Sequence, residues 1–243
     1  MKWDINLDAG ESLKDLAEGS EAARYKKVNR INIACGGHAG DETSMVKCLE
    51  LAKQFKLCAG AHPSFADRAN FGRKKMALSP CEVQELVRDQ VGHLYELASK
   101  IGVSLTHVKP HGALYQMAMS DLVLADAVAE GVREVDGNLI LVGLAEAPAL
   151  LRWRQLGFGV LAEGFADRGY QRDGTLVPRS EPGAVITDPS QAVQQIKNLL
   201  LTGKVKCLTG EWISVTCQTV CIHGDNPSVD DILEAVSVSQ QAG

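Results

Sequence analysis

The sequence predicts an α/β protein: a parallel (β/α) barrel of about seven strands that forms a single domain over residues 1–243. Short apolar runs alternate along the chain with longer segments of helical periodicity, which is the pattern of a parallel sheet with right-handed crossovers. About seven such units fit into the chain, and no linker, low-complexity segment or repeat divides it. A doubly wound open sheet is the alternative for the same alternation.

Seven short apolar runs have the composition of parallel strands that are buried on both faces. In chain order these predicted strands are Trp3–Leu7, Arg30–Ala34, Leu57–Ala61, Leu105–Lys109, Leu139–Leu144, Val160–Ala162 and Thr219–Ile222. The carboxyl ends of parallel strands meet on one face, so we expect the residues just beyond these runs to converge there.

Several helices have start signals with a physical cause. Ser79 can cap a helix, Pro80 fits its first position, and Glu82 completes a capping box. Apolar residues then recur at helical spacing as far as Ile101. Further helices are predicted to begin after Asp41, Asp188 and Ser228, and to cover Leu122–Val135 and Ala147–Leu156.

The composition excludes several classes of protein. Hydrophobic residues make up 45% and charged residues 23%, so the chain can build a core and is not a disordered tail. A formal net charge of -5 argues against nucleic-acid binding. We expect no secretory signal, because Met1–Asp4 leads straight into a polar motif, and no membrane span, because no apolar run approaches roughly 20 residues. The seven cysteines, an odd number in mostly apolar surroundings, predict reduced thiols and a cytoplasmic protein.

Nearly every predicted strand is followed at once by polar residues that can perform chemistry. Five of the six histidines lie in these segments. The segments are Asp8–Ser12, Cys35–Asp41, His62–Arg73, His107–Gly112, Glu163–Arg168 and His223–Pro227, whereas the fifth strand is followed only by Glu146. Active sites of parallel α/β folds lie at this end of the strands, so the pattern predicts a functional site there.

Some of these residues have structural alternatives. His93 lies inside an amphipathic helix and is expected to be structural, and His107 could be either a core histidine or part of the site. The run Gly37–Asp41 leads into a helix and could expose N–H groups to an anion, or it could form only a tight turn.

Common signatures for phosphate loops, nucleophile elbows and short zinc motifs are absent from the sequence. Asp8, His38 and His62 lie near the ends of three successive strands and could form an Asp-His-His site for a divalent metal. His107 and His111 are four residues apart and could also share a metal ion.

The strand-end motifs resemble those of a known family. The segments INLDAGES, INIACGGHAGD, GAHPSFADRANFGR, HVKPHGALY, EGFADRGYQRDG and VCIHGDNP are similar to successive motifs of the LamB/YcsF family, in order from about Asp4 to Ala235. Departures occur at Leu7–Gly10, at Gly37, where an aromatic residue is usual, and at Gln116, where asparagine is common. These departures affect details of the substrate pocket and remove no charged residue of the motifs.

The resemblance implies a barrel related to the glycoside hydrolase/deacetylase superfamily. It implies ATP-dependent opening of 5-oxo-L-proline to L-glutamate, in a hetero-complex with two partner subunits of 5-oxoprolinase, B and C. Mg²⁺ is expected to accompany the ATP, which could bind to this chain or to the partners. A homo-oligomer is compatible with the same sequence.

The candidate site residues can be divided by the role that each would have in this ring-opening reaction. The catalytic candidates are Asp8, Glu11, His38, His62, Lys109 and His111, and the candidates for binding substrate or nucleotide are Arg73, Asp167, Arg168, His223 and Asp225. Asp8 or Glu11 would deprotonate the attacking water, with His38 or His62 sharing that task. Lys109, Arg168 or His111 would neutralise the developing oxyanion or phosphate. Asp225 with His223 could orient a histidine or hold Mg²⁺.

Two other functions remain open from the sequence alone. One is a metal-dependent hydrolase or deacetylase that acts on an N-acyl substrate with the Asp-His-His set. The other is a non-catalytic binding subunit of the complex. The number of ionisable groups at the strand ends favours catalysis.

Overall fold

Seven parallel strands form a closed barrel in the computed structural model, which describes residues 3–241. The strands of the protein are β1 (Ile5–Ala9), β2 (Arg30–Ala34), β3 (Cys58–His62), β4 (Leu105–Val108), β5 (Ile140–Leu144), β6 (Val160–Phe165), β7 (Lys204–Lys206), β8 (Trp212–Ser214) and β9 (Thr219–Ile222). β1 to β6 are neighbours in chain order, and β9 closes the barrel between β6 and β1. The predicted barrel is therefore confirmed, and the open sheet is not formed.

Helices surround the barrel and bury their apolar faces against it. They are α1 (Leu13–Glu18), α2 (Ser20–Tyr25), α3 (Glu42–Phe55), α4 (Pro80–Ile101), α5 (Gly112–Ser120), α6 (Leu122–Asp136), α7 (Pro148–Gln155), α8 (Pro189–Lys197) and α9 (Val229–Gln241). Ser79, Asp41 and Asp188 cap α4, α3 and α8 with their side chains, as predicted. The sequence did not predict α1, α2 or α5. None of the helices in residues 3–241 is long and apolar enough to cross a membrane.

Two strands end two or three residues later than the sequence predicted. β1 runs to Ala9 rather than to Leu7, and β6 runs to Phe165 rather than to Ala162. Each prediction ended the strand just before its first charged residue near the carboxyl end. Asp8 and Glu163 nevertheless belong to the strands and are buried inside the protein. Alternate residues of a barrel strand face the interior, so a charged residue does not terminate the strand.

The interior of the barrel is polar and hydrogen-bonded. Asn32 on β2 donates to Asn6 Oδ1 at 2.9 Å and to Asp8 Oδ1 at 2.8 Å, both on β1. His107 Nε2 lies 2.9 Å from Asn32 Oδ1, and burial lowers the pKa of His107 to about 3. His107 is therefore a neutral core histidine, the structural alternative of the two that the sequence left open. Gly60 on β3 makes room for the His107 ring, because a Cβ at this position would overlap it.

Two excursions leave the barrel after β6. The segment 166–188 folds back over the carboxyl end of the strands, and the buried side chain of Arg168 donates hydrogen bonds to backbone carbonyls within it. The antiparallel pair β7–β8 follows α8 and lies outside the barrel sheet. The sequence predicted neither excursion, because both lack regular apolar periodicity.

Candidate active site

A cavity of about 210 Å³ lies at the carboxyl end of the barrel, where the sequence predicted the site. Seven of the predicted residues line it: Asp8, His62, Arg73, Lys109, His111, Arg168 and His223. Glu11 and Asp225 line a neighbouring cavity that shares Asp8 with the first. His38 and Asp167 line neither of these cavities, and each contacts a lining residue from behind.

Lys109 forms the charged centre of the cavity floor. Its ammonium lies 3.1 Å from Asp8 Oδ1 and 2.8 Å from Glu163 Oε1, and all three side chains are buried. The Tyr115 hydroxyl donates to the other oxygen of Glu163 at 3.0 Å. Burial alone would lower the pKa of Lys109, but Asp8, Cys221 and Glu163 raise it well above its ordinary value. The lysine is therefore a fixed cation between two carboxylates.

Asp8 is the ionised carboxylate at the centre of the site. Burial by itself would raise the pKa of Asp8, but the charge of Lys109 lowers it well below its ordinary value. The second carboxylate oxygen lies 3.5 Å from His62 Nε2. An Asp8 oxygen, Cys221 Sγ and a ring nitrogen of His223 also lie within 4.8 Å of one another. The carboxylate can therefore accept a proton from a water molecule in the cavity.

Asp167 and His223 form a hydrogen-bonded dyad beside Asp8. His223 Nδ1 lies 2.9 Å from Asp167 Oδ1, and Asn226 donates to Asp167 Oδ2 at 3.0 Å. Burial would raise the pKa of Asp167, but His223 and Asn226 lower it below its ordinary value. Asp167 thus orients the imidazole rather than facing a ligand, and leaves His223 Nε2 free for proton transfer.

Glu11 and three histidines, His38, His62 and His111, form a compact cluster at the edge of the cavity, here called the histidine cluster. His38 Nε2 lies 2.9 Å from Glu11 Oε1, and His62 Nε2 lies 3.0 Å from His111 Nδ1. Burial lowers the pKa of His38 to about 2, and it also lowers the pKa of His111 well below its ordinary value. Burial and the charge of Asp8 raise the pKa of Glu11 well above its ordinary value. His38 and His111 are therefore held as neutral rings.

The donor atoms that converge differ from the predicted Asp-His-His metal set. One donor atom from each of Glu11, His38, His62 and His111 lies within 4.8 Å of all the others. Asp8 contacts His62 but does not join this group, because its carboxylate turns toward Lys109. His107 lies lower in the barrel, bonded to Asn32, so it does not share a site with His111.

Charged residues at the rim pair with one another. Arg73 donates to Asp225 Oδ2 at 2.6 Å, and Arg179 lies 3.4 Å from the same carboxylate. Partial burial would raise the pKa of Asp225, but Arg179 and Arg73 lower it. Both arginines pair with this carboxylate, and the role of Asp225 in holding Mg²⁺ stays a prediction. The arginines also present cationic groups to the cavity that they line.

Arg168 has a structural task in addition to lining the cavity. Its guanidinium donates to the carbonyl oxygens of Ala184 at 2.9 Å and Val177 at 2.6 Å, and so holds the segment 166–188 closed. Burial lowers the pKa of Arg168 to about 10. Two of its N–H groups are therefore engaged by backbone carbonyls, and its role in neutralising an oxyanion stays a prediction.

The start of α3, where the sequence left an anion site and a tight turn open, is capped by the chain's own side chains. Asp41 accepts from Ser44 N at 2.8 Å, and the Ser44 hydroxyl closes the capping box from the other side. Arg68 donates to the carbonyl of Gly40 beside it. The helix start is thus satisfied by the chain's own side chains, which is the tight-turn alternative. His93, expected to be structural, is exposed on α4 with its ring 3.9 Å from Glu42.

Four residues of the site were given no catalytic or binding role by the sequence: Tyr115, Glu163, Arg179 and Cys221, of which only Glu163 lay in a predicted strand-end segment. Glu163 and Cys221 had a usable signal, because Glu163 lies on β6 two residues before Phe165, which lines the cavity, and Cys221 lies near the end of β9 two residues before His223. Arg179 had none, since it lies in the irregular segment 166–188. Tyr115 is the fourth residue of α5, a helix that the sequence did not predict.

Comparison with known proteins shows which family the chain resembles. The LamB/YcsF family matches residues 3–242 of the chain. A relative from Tolumonas auensis, named as the A subunit of 5-oxoprolinase, is 46% identical over 91% of this chain and 88% of its own length. A relative of the same name from Pyrococcus furiosus is 43% identical over 96% of this chain and 91% of its own length.

A solved structure has the same fold over the whole chain. The crystal structure of a lactam utilization protein from Thermus thermophilus superposes with a TM-score of 0.88 at 39% identity, and the match covers 100% of this chain and 98% of the other. The family match and these relatives each extend over nearly all of the residues that build the barrel and its site. The chain therefore belongs to the LamB/YcsF family.

Proposed function

We propose that this chain acts as the A subunit of a 5-oxoprolinase, which opens the lactam ring of 5-oxo-L-proline to give L-glutamate. The observation that carries the proposal is the small cavity around Asp8, Lys109 and the Asp167–His223 dyad, in a chain whose relatives are named as the A subunit of 5-oxoprolinase. A lactam is an unactivated amide, so its hydrolysis needs a base, an acid and activation of the carbonyl.

The cavity suits a small anionic substrate. Its volume of about 210 Å³ is below the roughly 300–1,000 Å³ of pockets that take drug-sized ligands. Arg73 and Arg179 present cationic groups at the rim, where the carboxylate of 5-oxoproline would bind. The lactam ring would then lie toward Asp8 and His223 at the floor, with Phe165 providing an apolar wall.

The proton transfers are assigned to this chain's own residues. Asp8, held ionised by Lys109, takes a proton from the water that attacks the ring carbonyl carbon. His223, oriented by Asp167, gives a proton to the ring nitrogen as the C–N bond breaks and the amine of glutamate leaves. Lys109 stays charged throughout and neutralises negative charge on the former carbonyl oxygen or on the phosphate that this oxygen carries.

ATP with Mg²⁺ is proposed as the co-substrate, and when bound it supplies the phosphoryl group that activates the lactam oxygen. The overall products are glutamate, ADP and phosphate, with water consumed at the lactam carbon and in the release of phosphate. The sequence contains no phosphate-loop motif, and the carboxylate of Asp225 at the rim forms ion pairs with two arginines. We therefore assign the nucleotide to the open rim or to the partner subunits rather than to the enclosed floor.

The partners proposed are the B and C subunits of the same enzyme. The relatives are named as one lettered subunit of an enzyme, which supports a complex of several different chains. A cytoplasmic location is proposed with it, because ATP is the co-substrate and all seven cysteines are free thiols.

Reconstitution tests this function. The chain is combined with candidate B and C subunits, and the release of glutamate and ADP from 5-oxoproline and ATP is followed. Equal amounts of both products, dependent on all three chains, are expected. Acetate release from acetylated sugars with no glutamate would favour an N-acyl deacetylase instead. Glutamate release that is unaffected by Asp8→Asn would leave the chain as a binding subunit.

A further inference from the structure

The histidine cluster is more than a group of packed rings. Its four residues come from four successive strand ends: Glu11 follows β1, His38 follows β2, His62 ends β3 and His111 follows β4. The three imidazoles are buried and the Glu11 side chain is 11% exposed. Their donor atoms lie within 4.8 Å of one another, so one small ion could contact all four.

The outer hydrogen bonds fix where the lone pairs of two rings point. His62 Nδ1 lies 2.6 Å from the carbonyl oxygen of Lys109, and His111 Nε2 lies 2.9 Å from the carbonyl oxygen of Phe71. A carbonyl oxygen only accepts, so each of these nitrogens carries a hydrogen. In a neutral imidazole the opposite nitrogen carries the lone pair, and here these nitrogens are His62 Nε2 and His111 Nδ1. They face each other at 3.0 Å and need a cation between them.

The third histidine repeats this arrangement. The Ser64 hydroxyl donates to the carbonyl of Phe65 at 3.1 Å, so it accepts from His38 Nδ1 at 2.9 Å. The lone pair of His38 Nε2 consequently faces Glu11 Oε1 at 2.9 Å, and Glu11 Oε1 lies 3.6 Å from His111 Nδ1. A single proton can satisfy only one of these acceptor pairs, whereas one metal ion satisfies all of them.

We propose that Glu11, His38, His62 and His111 bind one divalent transition-metal ion of the zinc class. Three imidazole nitrogens and one carboxylate oxygen are a donor set for zinc or its neighbours rather than for Mg²⁺ or Ca²⁺. Metal–nitrogen bonds of about 2.0–2.1 Å in a tetrahedron place the donors roughly 3.3 Å apart. The contacts of 2.9, 3.0 and 3.6 Å within the cluster lie around that value.

The surroundings are those of a built metal site. Each ring donates its outer N–H to a carbonyl or a hydroxyl, which is how metal-binding histidines are usually oriented. Phe71 packs edge-on against His38 and His111, with ring centroids 5.2 and 5.3 Å away, and covers the cluster from outside. At Gly72 a Cβ would approach His38 Cβ to 2.8 Å, so only glycine lets the backbone pass this close.

This ion goes beyond the proposed function, since Asp8 and His223 perform the proton transfers without it. Two of its ligands, His62 and His111, line the cavity, so it would lie beside the substrate. Its occupancy can be measured with no activity assay, and the failure of either proposal therefore leaves the other standing.

Cobalt substitution provides the test. The purified full-length chain is stripped with a chelator, dialysed and titrated with Co²⁺. We expect one equivalent to give the intense visible absorption of a tetrahedral site, and Zn²⁺ to displace it. His38→Gln and Glu11→Gln each remove one ligand and are expected to weaken binding by about 100-fold or more. His93→Gln, which changes an exposed histidine outside the cluster, is expected to bind like the unchanged chain.

Circular dichroism and thermal melting of each variant accompany the titration, so that loss of the fold is separated from loss of a ligand. The proposal is overturned if the unchanged chain takes up no stoichiometric Co²⁺. It is also overturned if the absorption persists at the same affinity in both folded variants, because the metal would then be bound elsewhere.

Discussion

Replacement of Lys109 by methionine separates the electrostatic role of this lysine from its volume. The ammonium lies 3.1 Å from Asp8 and 2.8 Å from Glu163, with all three side chains buried. Methionine keeps the apolar stem and leaves two buried carboxylates facing each other without a cation. Removal of one partner from a buried ion pair costs about 3–5 kcal/mol, so we expect a loss of that size in the free energy of unfolding.

Urea unfolding at two pH values measures this loss. Without the lysine, burial raises the folded-state pKa of Asp8 above that of the unfolded chain, so protonation of Asp8 on folding relieves its repulsion with Glu163. The variant is therefore most destabilised at pH 8, and the deficit shrinks as the pH falls toward 5. Addition of Glu163→Gln to the variant should recover part of the stability at pH 8.

Lys204→Met is the matched control for this experiment. It makes the same exchange at an exposed position of β7 and should change stability by less than about 0.5 kcal/mol. If Lys109→Met were as stable as the unchanged chain at pH 8, the carboxylates would not depend on Lys109 and the electrostatic assignment would be wrong.

The other predictions concern packing and the dyad. Gly60→Ala should destabilise the protein by about 1–3 kcal/mol in urea, because its methyl group overlaps the His107 ring. Gly92→Ala should instead stabilise it by about 0.5–1 kcal/mol, since the new Cβ on α4 meets only ordinary contacts. In the reconstituted enzyme, Asp167→Asn should lower turnover about 10²–10⁴-fold, because His223 loses its orienting carboxylate. Unchanged turnover in that folded variant would remove the dyad from the mechanism.

The barrel could be predicted from sequence because the signals that define its strands and helices lie in short stretches of the chain. Each apolar run is bounded by polar residues, and caps such as Ser79 and Asp41 mark where a helix begins. The strand ends were less accurate, since Asp8 and Glu163 read as the start of a loop. They are strand residues because the polar barrel interior satisfies them with Asn32 and Lys109, which is a tertiary effect.

The location of the site could be predicted, but its pairings could not. That Asp8, His62 and Lys109 would meet follows from parallel strands that end on one face. That Asp8 would turn to Lys109, and leave Glu11 to the histidines, depends on side-chain geometry across several strands. The pairing of Arg179 with Asp225 was still less accessible, because an irregular segment brings the arginine to the rim.

The central claim is that the cavity around Asp8 carries out lactam hydrolysis in an enzyme of three different chains. Its most direct test is the turnover of 5-oxoproline by complexes reconstituted with Asp8→Asn, with His93→Gln as the control. We predict that Asp8→Asn assembles and melts like a folded chain but releases glutamate at least about 100-fold more slowly, while the control keeps its rate. Full turnover by a correctly assembled Asp8→Asn complex would contradict this claim.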